Sequence, residues 1–368
     1  MMINNLMLEH NGKIAFHPGY YIKEIVEDEN ITQEEFAKKL GTTPKTVSKL
    51  INGSANITND IAIKLSNMYN TSTDVWSNLQ KNYDDLINEI EKEKLIKSQE
   101  IILKQIDYNF FIEEGFLPKV RNTTEKIKGL CNFFKVSNLS NFYGKDFCVN
   151  FRNENTNITE ANILNSNLWV ETAIIKGKSL NLENKFDKEK LINSIPEIRS
   201  MVTKEPKEFY DRLNEIFKEC GVAFVLLPPL KNSKINGAVK WLNKDTVILA
   251  INNRRKYADI FWFSLFHEIK HVLQEKTKRL ILSNVHEFEY IDRNLEEEAD
   301  EYSKNKLIPH KEYQKFIENF DFSKESIIRF AEEVDTHSGI VVGRLQREGF
   351  IRYNQYNELR EKYYITKD

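Results

Sequence analysis

The chain opens on a polar stretch, residues 1–16, and then breaks into short amphipathic segments. After His17-Pro18-Gly19 the apolar positions Tyr21, Ile22, Ile25 and Val26 recur at helical spacing. Thr32 with Glu35 three residues on is a capping-box signature, and Phe36, Ala37 and Leu40 form the apolar face behind it. Gly41 ends that helix, because glycine enters the left-handed region without a steric penalty. Thr43-Pro44 starts the next as N-cap and first helical residue, and Asn52-Gly53 closes it. Thr58 or Asn59 caps a further helix bearing Ile61, Ala62, Leu65 and Met68. The pattern predicts a small all-α module over residues 17–83.

Residues 84–104 are charged, with Leu86, Ile87, Ile90, Leu95 and Ile96 as a stripe, and read as a connecting helix. Helical stretches follow around 123–135, 159–175 and 188–201, without internal repeat or evident chemistry. After residue 205 the pattern changes. Val222–Leu227, Ala238–Leu242 and Thr246–Ile251 are short apolar runs of strand type, and Ala258–Leu273 is apolar nearly all round. Strands followed by helices within one segment indicate an α+β domain. The expected architecture is therefore mainly α with a C-terminal α+β domain. Its parts are a tail at 1–16, a helical module at 17–83, a helical middle at 84–205, and a domain of small sheet plus helices at 206–368 with a helical extension at its end.

Length agrees with several domains, since 368 residues exceed what one hydrophobic core usually supports. Lysine and arginine number 53 and acids 55, a formal charge of −2, which excludes a polybasic protein that coats nucleic acid with its whole surface. Cys131, Cys148 and Cys220 lie far apart, which excludes a disulfide framework and a thiolate zinc finger. The start lacks a signal-peptide pattern, and no run is long and apolar enough to span a membrane. The sequence expectation is a cytoplasmic protein with no membrane partner.

His267-Glu268-Ile269-Lys270-His271 interrupts the apolar helix. Residues four apart share a helix face, so both imidazoles can reach one Zn²⁺, with Glu268 beside them to take a proton from bound water. Two histidines need a third ligand. The acidic run Glu296-Glu297-Glu298 lies on a downstream helix whose stripe reads Leu295, Ala299 and Tyr302. At about 100° per residue Glu297 points away, while Glu296 and Glu298 flank the stripe, Glu298 slightly closer. His286, His310 and His337 are rival ligands. Arg344, His337, Tyr290 and Tyr302 are candidates to stabilise a developing oxyanion.

Several pieces of residues 206–350 resemble the ImmA/IrrE family of zinc metallopeptidase domains. They are Gly237-Ala238 with Trp241-Leu242, the Phe261–His271 helix, Glu297-Glu298-Ala299-Asp300 and Leu307-Ile308-Pro309. The resemblance implies a gluzincin-like zinc peptidase with His267, His271 and Glu298 as ligands, Glu268 as acid/base, and a regulatory protein as substrate. Lys270 departs from it, standing where members commonly have glycine. Ser338–Gln346 is similar to a segment of longer members.

Thr32–Leu40, a turn with Gly41, and Thr43–Ile51 have helix-turn-helix spacing. The second helix would enter the major groove, N-terminal residues leading, with Thr43, Lys45, Thr46 and Lys49 as contacts and Gln33 on a phosphate. Within residues 17–80, four of six lysines fall at 38–49 and six of eight acids at 24–35, so charge is segregated although its sum is not basic. His17-Pro18-Gly19, Thr32-Gln33, Leu40-Gly41, Lys45–Ser48, Ile51–Gly53, Ile57-Thr58 and Trp76–Gln80 with Tyr83 resemble the Xre-type helix-turn-helix, specifically its HigA-like antitoxin branch. That resemblance implies a homodimer on a palindromic operator. It also implies a toxin partner, in which case the peptidase-like domain would be a non-catalytic sensor or docking module.

Overall fold

The computed structural model describes residues 2–4, 6–143, 159–233, 235–252, 257–275 and 285–363, the side chains of 2–4 and 285–293 excepted. Cys148 lies outside the described residues, as do the side chains of His286 and Tyr290. The fold is mainly helical with two small three-stranded sheets, and its contacts gather into two compact units, Met1–Ile101 and Ile102–Asp368.

In the first unit the polar lead-in is not a tail. Strands β1 (Met2–Asn4), β2 (Met7–His10) and β3 (Lys13–Phe16) form an antiparallel sheet, with Met7 opposite Phe16 and His10 opposite Lys13. The two residues between β2 and β3 are Asn11-Gly12, both at positive φ (48° and 78°), the combination a tight right-twisted hairpin needs. Lys13 Nζ then meets Glu89 and Glu93, each at 2.7 Å.

Four short helices follow: α1 (Gly19–Asp28), α2 (Gln33–Leu40), α3 (Pro44–Ile51) and α4 (Asn59–Tyr69). Their inward stripes meet in one core of Ile22, Phe36, Val47, Leu50 and Leu65, all essentially without exposure. The capping box forms: Thr32 Oγ1 accepts from Glu35 N at 3.2 Å, and Glu35 accepts from Thr32 N at 2.9 Å. Gly41 takes φ 64°. The 31-residue helix α5 (Thr73–Leu103) runs through the expected boundary at 84.

The second unit begins with α6 (Tyr108–Glu113), α7 (Thr123–Phe134), α8 (Glu160–Ser179), α9 (Lys188–Ser200) and α10 (Pro206–Glu219). Strands β4 (Val222–Leu227), β5 (Gly237–Asn243) and β6 (Thr246–Asn252) stand in the order β4-β6-β5, with β4 parallel and β5 antiparallel to β6. Then come α11 (Ala258–Gln274), α12 (Val285–Leu307), α13 (His310–Glu318), α14 (Lys324–Glu333) and α15 (Ser338–Glu348).

Alternate strand residues enter two different cores. Val222, Phe224, Leu226, Val247, Leu249 and Ile251 pack with Trp262, Leu265, Phe266 and Ile269 of α11. Ala223, Val225, Leu227, Ile248 and Ala250 pack with Leu164, Leu168, Trp169 and Ala173 of α8 and with Phe111 and Leu130. Cover on both faces explains why β4 is apolar at every position. It also means that no seam lies at 205: helix α8 shares a core with β4 and β6. Helical periodicity marks each element of the middle segment but not the face it meets. No helix among the described residues is long and apolar enough to cross a membrane.

Leu249 sits without exposure on the central strand. Leu249→Ala is expected to cost about 2–5 kcal/mol of unfolding free energy. The shift in the urea midpoint of the near-ultraviolet signal from the buried Trp262 checks it.

Candidate functional site

Helix α3 buries Val47, Leu50 and Ile51 and leaves its opposite face to solvent. Gln33, Thr43, Lys45 and Lys49 are exposed and Thr46 is half-buried. The two threonines are occupied with the helix start. Thr43 Oγ1 accepts from Thr46 N at 3.1 Å, and the two hydroxyls lie 2.9 Å apart. Lys45 and Lys49 stand one turn apart on the outer face. Of the neighbouring lysines, Lys39 pairs with Glu29 at 3.3 Å and Lys64 with Asp60 at 2.8 Å. Lys45 and Lys49 have no ion-pair partner among the described residues, so their charges face solvent and can meet phosphate.

The second site lies where α11 crosses α12. His267, Glu268 and His271 are all buried. His267 Nδ1 lies 2.9 Å from Asp300 Oδ1, near enough for the carboxylate to pair with a protonated Nδ1 and leave Nε2 its lone pair, although the two atoms are not aligned as a hydrogen bond. His271 Nδ1 lies 2.9 Å from Gln274 Oε1, whose amide nitrogen is spent on Leu295 O and Glu298 Oε2. His271 Nε2 therefore carries a lone pair as well. The two Nε2 atoms are 3.0 Å apart, and the carboxylate of Glu296 approaches them at 3.1 Å (from His267) and 3.0 Å (from His271).

Three electron-pair donors that converge this way repel unless a cation stands among them. Ligands at 2.0–2.1 Å from a tetrahedral ion are roughly 3.3 Å from one another, close to the spacing here. His267, His271 and Glu296 thus fit a metal ion, and Asp300 and Gln274 orient the imidazoles as outer partners do. Glu268 projects beside them against β5. A Cβ on Gly237 would lie 2.5 Å from Glu268 Oε1, so the bare glycine makes the room that this carboxylate occupies.

The sequence preference for Glu298 differs from this arrangement. Glu298 lies 3.4 Å from Lys270 Nζ and is 53% exposed, on the outer flank of the crossing. The reason is the stripe. Ser303 is fully buried, its hydroxyl returned to Ala299 O at 2.9 Å, whereas Tyr302 is half-buried. A stripe of Leu295, Ala299 and Ser303 turns the inward face about 30° toward Glu296 and Asp300. A polar residue in the stripe hid that rotation. Asp300 and Gln274 were not singled out from sequence; the four-residue step from Glu296 to Asp300 was the available signal.

The other candidates stand apart from the cluster. His310 is exposed at the start of α13. His337 caps α15, accepting from Gly339 N at 3.1 Å, and meets Glu361 at 2.9 Å. Arg344 pairs with Glu348 at 3.0 Å and stacks over Tyr313. Tyr302 lies beneath Lys270 and Lys306, its hydroxyl pushed up to about 12 by burial.

Without a metal the cluster must hold a proton instead. Burial disfavours a charged His271, but its hydrogen bond to Glu296 and the charge of Glu268 outweigh this and raise its pKa above 6.5. Burial raises Glu296, but the His267 and His271 imidazoles against it outweigh this and hold the carboxyl at about 2. The Glu296 contribution to stability is present above pH 4.5 and lost as pH falls toward about 2. That of His271 is present below pH 6.5 and lost as pH rises through its raised value. In chelator-treated protein the stability advantage of wild type over Glu296→Gln should therefore peak between pH 4.5 and 6.5 and shrink on both sides, read as urea midpoints against pH.

Comparison with known proteins bears on the first unit. The helix-turn-helix family HTH_3 matches residues 22–76. The uncharacterised HTH-type transcriptional regulator YddM of Escherichia coli (strain K12) is 40% identical over 70 residues, 18% of this chain and 74% of that protein. Among solved structures, a plasmid-maintenance antidote protein from Nostoc punctiforme is 36% identical and covers 22% of this chain and 87% of its own, with a TM-score of 0.21. An addiction-module antidote protein of the HigA family from Coxiella burnetii is 28% identical and covers 23% and 94%, with a TM-score of 0.22. By its N-terminal residues 22–76 the chain belongs to the helix-turn-helix family of DNA-binding transcriptional regulators.

Proposed function

We propose that this regulator carries a zinc-dependent peptidase in its second unit and cleaves a regulatory protein in the cytoplasm. The observation that carries the reading is the convergence of His267 Nε2, His271 Nε2 and the Glu296 carboxylate, with Asp300 beside one Nδ1 and Gln274 hydrogen-bonded to the other. Two imidazoles and a carboxylate are a zinc donor set that leaves a fourth position open. His267, His271 and Glu296 would hold the zinc, which when bound would supply Lewis acidity toward a water and the scissile carbonyl. Glu268 takes the proton from the attacking water and passes it to the leaving nitrogen. Strand β5 is an edge of its sheet, and its Gly237 lies against Glu268. An extended substrate that pairs with that edge brings its carbonyl to Glu268 and the cluster.

Purified protein should hold one zinc per chain. Glu296→Ala should abolish retention, Asp300→Ala should weaken it about 10–100-fold, and Glu298→Ala should weaken it less than Asp300→Ala does, measured by competition with a chromogenic chelator. Glu268→Gln should keep the metal yet lose at least about a hundredfold in hydrolysis of a cognate repressor. Equal cleavage by wild type and Glu268→Gln would sink the peptidase reading. The HigA-like alternative would then stand, a regulator and antitoxin whose second unit binds a partner without cutting it.

On DNA, the module acts as a homodimer with α3 of each copy in the major groove of a palindromic operator. The exposed, ion-pair-free Lys45 and Lys49 supply phosphate contacts. Lys45→Ala/Lys49→Ala should weaken binding to the chain's own promoter and lower the salt slope by about 2. An unchanged slope, read by fluorescence anisotropy over a salt series, would reassign the interface.

A further inference from the structure

A pocket of about 290 Å³ lies in the second unit beside the first half of α11, one turn from His267, with its other walls on α12 and α15. Phe263, Ile308 and Ile340 give it an apolar lining. Four cations line it, Lys304, Arg344, Arg347 and Arg360, against two carboxylates, Asp259 and Glu348. Two of the cations are fixed parts of the wall. Arg360 meets Asp259 at 2.8 Å and stacks over Tyr257, and Arg344 meets Glu348 at 3.0 Å and stacks over Tyr313. Gly343 completes the wall, since a Cβ there would lie 2.6 Å from Asp259 Oδ2.

The other two cations of the lining are Lys304, which has no ion-pair partner among the described residues, and Arg347, which is paired with a carboxylate outside the lining. Arg347 lies over the Phe263 ring at 5.2 Å and reaches Asp300 Oδ2 at 3.5 Å. Its side chain is 39% exposed, so it can turn to a ligand. A partly apolar lining with one cation beyond its ion pairs suits one monoanion on a short apolar stem. A guanidinium fork selects a carboxylate among such anions. The hydrolysis proposed above uses none of these groups.

We propose that this pocket binds a carboxylate on a short aliphatic stem, with Arg347 and Lys304 taking the carboxylate and Phe263, Ile308 and Ile340 taking the stem. The carboxylate comes either from a free small acid or from an acidic residue of a bound peptide. Neither the pocket nor its charge needs a metal, so the test uses the metal-free full chain. Failure of hexanoate to bind leaves the zinc reading intact, and failure to hold zinc leaves this one intact.

Hexanoate and its neutral isostere hexanamide are titrated calorimetrically. Hexanoate should saturate one site per chain, and hexanamide should bind at least about tenfold more weakly. Lys304→Met and Arg347→Met should each weaken hexanoate by about tenfold at unchanged melting temperature, and Arg347→Lys should recover part of the loss. If Arg347→Met fails to fold, Lys304→Met and the hexanamide comparison decide. Equal binding of acid and amide, binding of neither, or binding indifferent to both substitutions overturns the proposal. Displacement of hexanoate by a short peptide with a single glutamate assigns the site to substrate; saturation without displacement assigns it to a free acid.

Discussion

Helix α11 buries His267, Glu268 and His271 among Trp262, Leu265, Phe266 and Ile269, and ionisable groups so placed cost several kcal/mol unless they are satisfied. Much of the second unit follows from meeting that cost. Asp300 fixes one imidazole and Gln274 the other. Gln274 is held in turn by Leu295 O and Glu298, so the end of α11 is tied to α12. The sheet supplies the apolar floor under α11, and α8 covers the far face of that sheet. The middle helices thereby brace the strands beneath the cluster.

The two units solve different problems. In the first, a compact core with paired caps holds α3 firmly while its polar face stays open. Its two threonines are spent on geometry, and its two lysines are left for a partner. In the second, polar groups are drawn inward and must find each other, because a buried donor or acceptor left alone costs more than a satisfied one returns.

Local rules carry most of the elements. Capping boxes, the Gly41 stop and the apolar runs of β4 and β6 place their elements within a residue or two, because each rests on chemistry within one turn or strand. Asn11-Gly12 announces the hairpin of β2 and β3, but its polar surroundings conceal the strand alternation. The two motif histidines and Glu268 were legible because helical geometry alone sets them side by side. The choice between Glu296 and Glu298 was not. It depends on how α12 rotates against α11, and a buried serine at 303 decided that rotation. The outer partners Asp300 and Gln274 escaped for the same reason, being defined by a contact between helices. The packing of α8 against the sheet, which removes the seam expected at 205, likewise depends on tertiary contact.

Asp300 divides its two carboxylate oxygens between His267 Nδ1 and Arg347. A group that serves two neighbours makes their occupancies thermodynamically reciprocal. Whatever draws Arg347 toward the pocket frees Asp300 to bind His267 more strongly and makes Nε2 a better electron-pair donor. A cation held at the cluster would change affinity in the pocket by the factor by which an occupant of the pocket would change affinity for the cation. The proposed metal site and the proposed pocket would thus balance against each other through a single carboxylate one turn beyond the acidic triplet.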